Sequence, residues 1–401
     1  MEKDDHIYYM MNDDGSYVMG GQQDNTKGFY GAAGNGRLVN KTRWLQQAWE
    51  RYMQARWGYS TSIHSWELTN EGDIRTEHYQ NVDELGKFMH CRVFGVPVGS
   101  SGGDVCTFEH PNRHMVTTSF PQFPVAYNPQ DGSGLFGSPY YRNVDYGDLH
   151  AYISTSWAST AEKTRMEGDS AFFHLWHSDE VRSFNLPYPL PYVRGEAGMV
   201  PAGGSTDDFN GLGLNRDTSG VWYHNYVWAG LDSGALYEIY WYYNPHIVNA
   251  PAYDHRPEGI PYYNFLTGVP LNNGHYRDAA AAASSPLLRV VGQKDLTNGK
   301  AHLWIQNSSH TWLNVVNGVS IPLVSGTVTI DGFQSLQSYS AQWWNTYTAT
   351  ASSTQSVSAN SSGQIVLTVS NLAMDTAVKI SPSGTPPNNT PPSPPRNLRL
   401  R

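Results

Sequence analysis

Two glutamates in this chain stand where a carboxylate could break a covalent bond. Glu71 closes the run Ser62-Ile63-His64-Ser65-Trp66-Glu67-Leu68-Thr69-Asn70-Glu71, which follows Gly58 and precedes Gly72 and Asp73. Apolar and β-favouring residues bounded by glycines predict a buried strand that delivers Glu71 to its C-terminal tip. Glu196 sits in Pro191-Tyr192-Val193-Arg194-Gly195-Glu196-Ala197-Gly198, a second strand-like run, with glycines on both sides that would let a substrate approach the backbone. Two carboxyl groups at strand ends suit hydrolysis of a glycosidic bond, in which one protonates the leaving oxygen and the other attacks or activates water. Glu67 competes for a role. Four residues of strand put it some ~13 Å deeper than Glu71, outside the separation such a pair needs, so it is expected to be a buried, internally paired carboxylate.

These tips need a scaffold. Leu45, Ala48, Trp49, Tyr52 and Met53 recur at the spacing of one apolar helix face that ends at Gly58. A second helix is expected around 82–93, strands at 115–120 and 144–153, a helix near 170–176, the strand to Glu196, a helix around 223–231, and a strand at 236–242. His150 and Tyr152 share one face of their strand by its period of two. Strand-then-helix units repeating every few dozen residues predict parallel βα units, hence an α/β barrel or a doubly wound sheet. No Gly-x-Gly-x-x-Gly turn opens a helix, which disfavours a nucleotide-binding sheet. His174-Leu175-Trp176-His177 lacks the glutamate of a zinc helix, and Asp207-Asp208-Phe209-Asn210-Gly211 lacks the bidentate acid of a calcium loop.

From 287 onward the pattern changes to short alternating runs at 287–291, 301–306, 327–330, 339–344, 365–369 and 377–380, as in an antiparallel β-sandwich. An Ala-rich helix is expected at 279–283. The organisation is therefore a barrel over 1–260, a connector over 261–286, a β-sandwich over 287–381 and an extended Pro-rich linker over 382–401.

The runs Arg51 to Tyr59, Trp66-Glu67-Leu68-Thr69-Asn70-Glu71, His114 to Ser119, Asp148-Leu149-His150-Ala151-Tyr152 and Gly195-Glu196 resemble the clan A glycoside hydrolases. Closest in pattern are the family 5 cellulases and mannanases and their relatives with a C-terminal collagen-binding-type β-sandwich. The resemblance implies a (β/α)8 TIM barrel that in this chain is N-terminally incomplete, with Glu71 ending the fourth strand, followed by an all-β sandwich. It also implies a retaining mechanism with Glu71 as acid/base and Glu196 as nucleophile, Asn70 on the sugar 2-hydroxyl, Tyr152 orienting the nucleophile, and His150 against the sugar or the acid/base. Trp241 would be the aromatic floor of the cleaved sugar's subsite. The family's second-strand arginine, which hydrogen-bonds the nucleophile, has no counterpart here. Pro394 to Leu400 resembles the opening of a fibronectin type III module, and modular chains of this kind are expected to be extracellular.

The substrate expected is a polysaccharide or oligosaccharide of the β-1,4-linked plant class (cellulose, mannan or xylan), cleaved internally. The alternatives are a non-catalytic carbohydrate-binding or scaffold protein and an exo-acting clan A glycosidase. No cofactor and no metal is expected. The net charge of -9 with charged residues at 15% and no Lys/Arg cluster disfavours nucleic acid and anionic membrane as partners, and a monomer is expected. Aromatics make up 13% of the 401 residues, enough for a large aromatic core or for rings that stack on sugars. Cys91 and Cys106, the only cysteines, flank a Gly-rich turn and could form a disulfide or stay as two buried thiols.

Overall fold

The computed structural model describes residues 10–11, 17–18, 41–70, 76–91, 113–120, 143–153, 158–183, 191–199, 214–232, 237–238 and 255–384. Packing divides the chain into two units, one of Met1–Tyr152, Val181–Gly198 and Leu236–Trp241, the other of Ile153–Glu180, Met199–Ala235 and Tyr242–Arg401.

The first unit begins with a two-stranded antiparallel pair, β1 (Met10–Met11) and β2 (Tyr17–Val18), and helix α1 (Lys41–Trp57). Then strand and helix alternate: β3 (Ser65–Glu67), α2 (Thr76–His90), β4 (Met115–Thr117), β5 (Ser119–Phe120) and β6 (Gly147–Ile153). Between β6 and the next strand the sequence runs through α3 (Thr160–Gly168) and α4 (Ser170–Ser183) before β7 (Tyr192–Met199). Helix α5 (Val221–Ala229) then leads to β8 (Tyr237–Glu238). β3 pairs with β4 in parallel, and β5, β6, β7 and β8 lie side by side in sequence order, with β5–β6 and β7–β8 parallel. Only Thr118 separates β4 from β5. The strand at 236–242 is described only as far as Glu238.

β6 is buried on both faces, as strands of parallel sheets usually are. Leu149, Ala151 and Ile153 point one way, at 1% exposure or less, while Asp148, His150 and Tyr152 form the other row. Cys91, just past α2, is disulfide-bonded, which decides between the two states the sequence left open.

Helix α1 departs from its apolar pattern. Trp49 and Tyr52 are half exposed, whereas Gln47, Glu50 and Gln54 are the buried residues among the described side chains of the helix. The cause is its partner. Gln54 Nε2 donates to the Met89 carbonyl at 2.8 Å, a group in the last turn of α2 that has no intrahelical partner. The Arg51 guanidinium lies over the Phe88 ring. Satisfying a helix end outranks burying the two rings. Burial also pushes the Glu50 carboxyl up to about 7 from an ordinary 4.5. The unfolded chain therefore loses this proton first, and stability falls as pH rises from 4.5 to 7. Glu50→Gln is expected to stabilise the protein by roughly 2–3 kcal/mol at pH 8 and by almost nothing at pH 4, read by urea denaturation at the two pH values.

The second unit holds α3, most of α4 and α5, and continues with α6 (Gly259–Leu266), β9 (Arg277–Asp278), β10 (Ala282–Ala283), β11 (Leu288–Asp295), β12 (Lys300–Asn307) and the short helix α7 (Trp312–Val316). Then come β13 (Val324–Ile330), β14 (Ser338–Asn345), β15 (Thr350–Ser358), β16 (Ile365–Leu372) and β17 (Asp375–Pro382). They form an antiparallel sheet in the order β15-β14-β17-β12-β11-β9 and another in the order β10-β13-β16. Leu303, Ile305, Val378 and Ile380 of the larger sheet share one apolar core with Val328, Ile330 and Leu367 of the smaller. The larger sheet's other face carries Trp304 and Ala377, which pack with Ala171, Trp228, Leu231 and Phe265. Arg289 ties this layer together, its two guanidinium nitrogens 3.0 and 2.6 Å from the carboxylate oxygens of Asp169.

The Ala-rich helix expected at 279–283 is not formed. Asp278 accepts the Ala280 N–H at 2.7 Å, Ala280 takes φ 48°, and Ala282 and Ala283 pair with Thr329 and Val328. Five alanines are too few to repay helix nucleation, while a strand partner is at hand. Among the described residues no helix is long and apolar enough to cross a membrane.

Candidate active site

The candidate site lies in the first unit, on the side-chain row of β6, its neighbour β7 and the end of β3. At its centre is the Glu196 carboxylate, 23% exposed. Tyr152 donates its hydroxyl to Glu196 Oε2 at 2.6 Å, and His150 Nδ1 lies 3.3 Å from the same oxygen. His150 is buried and Tyr152 half-buried. One carboxylate oxygen is thus held from two sides by consecutive members of one strand row.

Sequence reasoning missed Asp148, although the same period of two that aligned His150 with Tyr152 places it next in the row. Its Oδ1 accepts the Gly195 N–H at 2.6 Å. Desolvation pushes its carboxyl up to about 7, with Glu67 and Glu196 adding to the rise and His150 and the Gly195 N–H opposing it. Asp148 gives a further reason for glycine at 195. A Cβ there would lie 2.3 Å from Asp148 Oδ2, so the close approach is by a carboxylate of the same protein. Nor does Glu196 end its strand, because β7 continues to Met199.

Glu67 is nearer this chemistry than its depth along β3 suggested. Its carboxylate, Asp148 and His150 bring donor atoms within 4.8 Å of one another, close enough together to accept a cation. Glu67 Oε1 is buried and accepts no hydrogen bond among the described residues. Glu67 is half-buried rather than buried, and no described residue pairs its Oε1.

Asn70, three residues past β3, lies beside the start of β5. Ser119 Oγ donates to its Oδ1 at 3.2 Å, while Thr69 O accepts from Thr118 Oγ1 at 2.8 Å and from the Ser119 N–H at 3.2 Å. The polar Thr117-Thr118-Ser119 run pins the backbone immediately before residue 71. Of the six residues singled out from sequence, Glu196, His150 and Tyr152 are brought together, and Asn70 is fixed on the neighbouring strand. Glu71 and Trp241 lie outside the described residues. Lower on the same strands, Asp145 accepts the Val116 N–H at 2.8 Å and faces His90 at 2.9 Å and Arg113 at 3.5 Å. Burial opposes its ionisation, but these partners outweigh it and hold its carboxyl below the usual range.

No protein-family profile matches the chain, and no curated protein does. Its neighbours among solved structures are glycoside hydrolases. One is a glycoside hydrolase of family 5 from Bacteroides vulgatus, 11% identical, with 86% of this chain and 67% of that one covered and a TM-score of 0.44. A family 44 endoglucanase from Clostridium thermocellum is 11% identical over 84% of this chain and 70% of its own, with a TM-score of 0.42. A family 39 enzyme from Xanthomonas axonopodis pv. citri is 12% identical over 90% and 77%, with a TM-score of 0.35.

Proposed function

We propose that this protein is a retaining glycoside hydrolase that cleaves β-1,4-linked plant polysaccharide internally. Glu196 is the nucleophile and Glu71 the acid/base. The observation that carries the reading is the Glu196 carboxylate, whose Oε2 is approached by both Tyr152 and His150. A nucleophilic carboxylate must be ionised and fixed, with lone pairs left to face the anomeric carbon. The Tyr152 phenol donates to Glu196 Oε2 at 2.6 Å and helps select one rotamer of the side chain.

The rest of the assignment follows the chemistry of two carboxyls. Retention requires them about 5–5.5 Å apart, so that one attacks while the other protonates the leaving oxygen and then activates water. Glu71 directly follows Asn70, whose side chain is fixed by Ser119 on the adjoining strand end, and Asn70 takes the sugar 2-hydroxyl. Trp241 supplies the ring on which the cleaved sugar lies. The strands of the first unit belong to a (β/α)8 barrel, residues 287–381 to a β-sandwich accessory domain without catalytic residues, and the protein to the extracellular space.

The test is product stereochemistry and length on soluble β-glucan, mannan and xylan. Proton NMR is expected to show the β-anomer first, and chromatography a ladder of oligosaccharides. The α-anomer first would mean inversion and would remove the covalent role from Glu196.

A further inference from the structure

We propose that Asp148 is the positioning residue for Glu196, clamping the β7 backbone one residue before the nucleophile by accepting the Gly195 N–H. The inference rests on the reading of Glu196 as nucleophile. Three observations converge on it. Asp148 is 7% exposed, so its carboxylate has little water to turn to, and its bond to Gly195 measures 2.6 Å. A Cβ at residue 195 would fall 2.3 and 2.5 Å from the two Asp148 oxygens, so the contact exists only because residue 195 is glycine. Asp148 also belongs to the row that holds the far end of the nucleophile, with His150 and Tyr152 both on Glu196 Oε2.

One strand therefore grips Glu196 at two levels. Asp148 fixes the backbone from which the side chain springs, and His150 and Tyr152 fix its carboxylate. Glu67 closes the row from β3, within 4.8 Å of both Asp148 and His150. If Asp148 is lost, β7 is free to shift at Gly195 while the carboxylate stays tethered, and the attacking oxygen is displaced. A displacement of about 1 Å in such a site costs roughly a hundredfold in rate.

The experiment follows covalent labelling of the full-length protein by an activated 2-deoxy-2-fluoro-β-glycoside, which reads the attack step alone, together with kcat and KM on an aryl β-glycoside. Asp148→Ala and Gly195→Ala are each expected to slow labelling and kcat about a hundredfold, with KM changed by less than about threefold. The double variant should be no slower than either single one, because both break the same contact. Asp148→Asn keeps an acceptor oxygen in place and should stay within about tenfold of the parent. That rescue separates positioning from general damage to the fold, and thermal melts of all four variants check it. Full labelling speed in Asp148→Ala overturns the proposal, as does an Asp148→Asn variant as slow as Asp148→Ala. Labelling abolished by EDTA and restored by manganese or zinc also overturns it, since the Glu67, Asp148 and His150 group would then be serving a cation. A parent protein labelled at another residue, or not at all, instead removes the functional reading on which the proposal stands.

Discussion

Glu196→Ala is expected to lower turnover of β-glycosides by at least ~10⁴-fold, the scale seen when a covalent nucleophile is removed, while leaving the melting temperature near that of the parent. The Glu196 side chain is partly exposed, and its hydrogen bond to Tyr152 is one of several interactions of the β6 row, so its loss opens space without breaking the sheet. That space lies on the α face of the bound sugar. Azide entering it should attack an activated β-glycoside and release an α-glycosyl azide after one inversion. Glu71→Ala should behave in the opposite way. With a good leaving group the covalent intermediate still forms, because little protonation is needed, and azide then intercepts it from the β face to give the β-glycosyl azide. NMR of the two products separates the roles. The reverse pairing of anomers would exchange them, and wild-type turnover in either variant would exclude that residue from the mechanism.

Arg289→Ala should destabilise the protein by about 3–5 kcal/mol, the cost of leaving one partner of a buried ion pair uncompensated. The side chains of Arg289 and Asp169 are each only 11% exposed, and the pairing is bidentate, at 2.6 and 3.0 Å. Arg289 also donates to Gln306 Oε1 at 2.6 Å. Asp169 meanwhile caps α4 by accepting the Phe172 N–H at 3.0 Å, so the same carboxylate serves a helix start and a strand of the sheet. Removing the guanidinium leaves the acid with the helix alone. The loss is read by urea denaturation at pH 7, and adding Asp169→Asn to Arg289→Ala should recover a large part of it. A loss under about 1 kcal/mol would mean that water already reaches the pair.

Legibility in the sequence followed the strength of the local pattern. In the second unit, alternating runs such as Ile365-Val366-Leu367-Thr368-Val369 and the apolar Ala301 to Ile305 marked strands, because burying one or two faces demands such patterns. β15, Thr-Ala-Ser-Ser-Thr-Gln-Ser-Val-Ser, left no mark, since it is an exposed edge held by its ladder with β14. Helix α1 misled because its rings face outward, and only the unpaired carbonyl at Met89 explains why Gln54 faces inward. α3 gave little apolar pattern, its start being set by the Ser159–Glu162 capping box.

At the site, residue types and the period of two drew attention to Glu196, His150 and Tyr152. Asp148 carries no signal of its own in the local pattern. Its meaning depends on Gly195, a residue of another strand 47 positions away, and no local pattern encodes that meeting. Glu67 was set aside on its distance from Glu71 along one strand. The distance that matters runs across strands, to Asp148 and His150.

The central claim is that Glu196 forms the bond to sugar. The direct measurement is mass spectrometry of the protein after incubation with an activated 2-deoxy-2-fluoro-β-glycoside, whose electron-withdrawing fluorine slows release of the intermediate more than the good leaving group lets its formation slow. The account predicts one added fluorosugar per chain, located by peptide fragmentation on Glu196, and absent from Glu196→Ala. A label on Glu67, Glu71 or another side chain, or glycan hydrolysis that proceeds with inversion and no label, would contradict it.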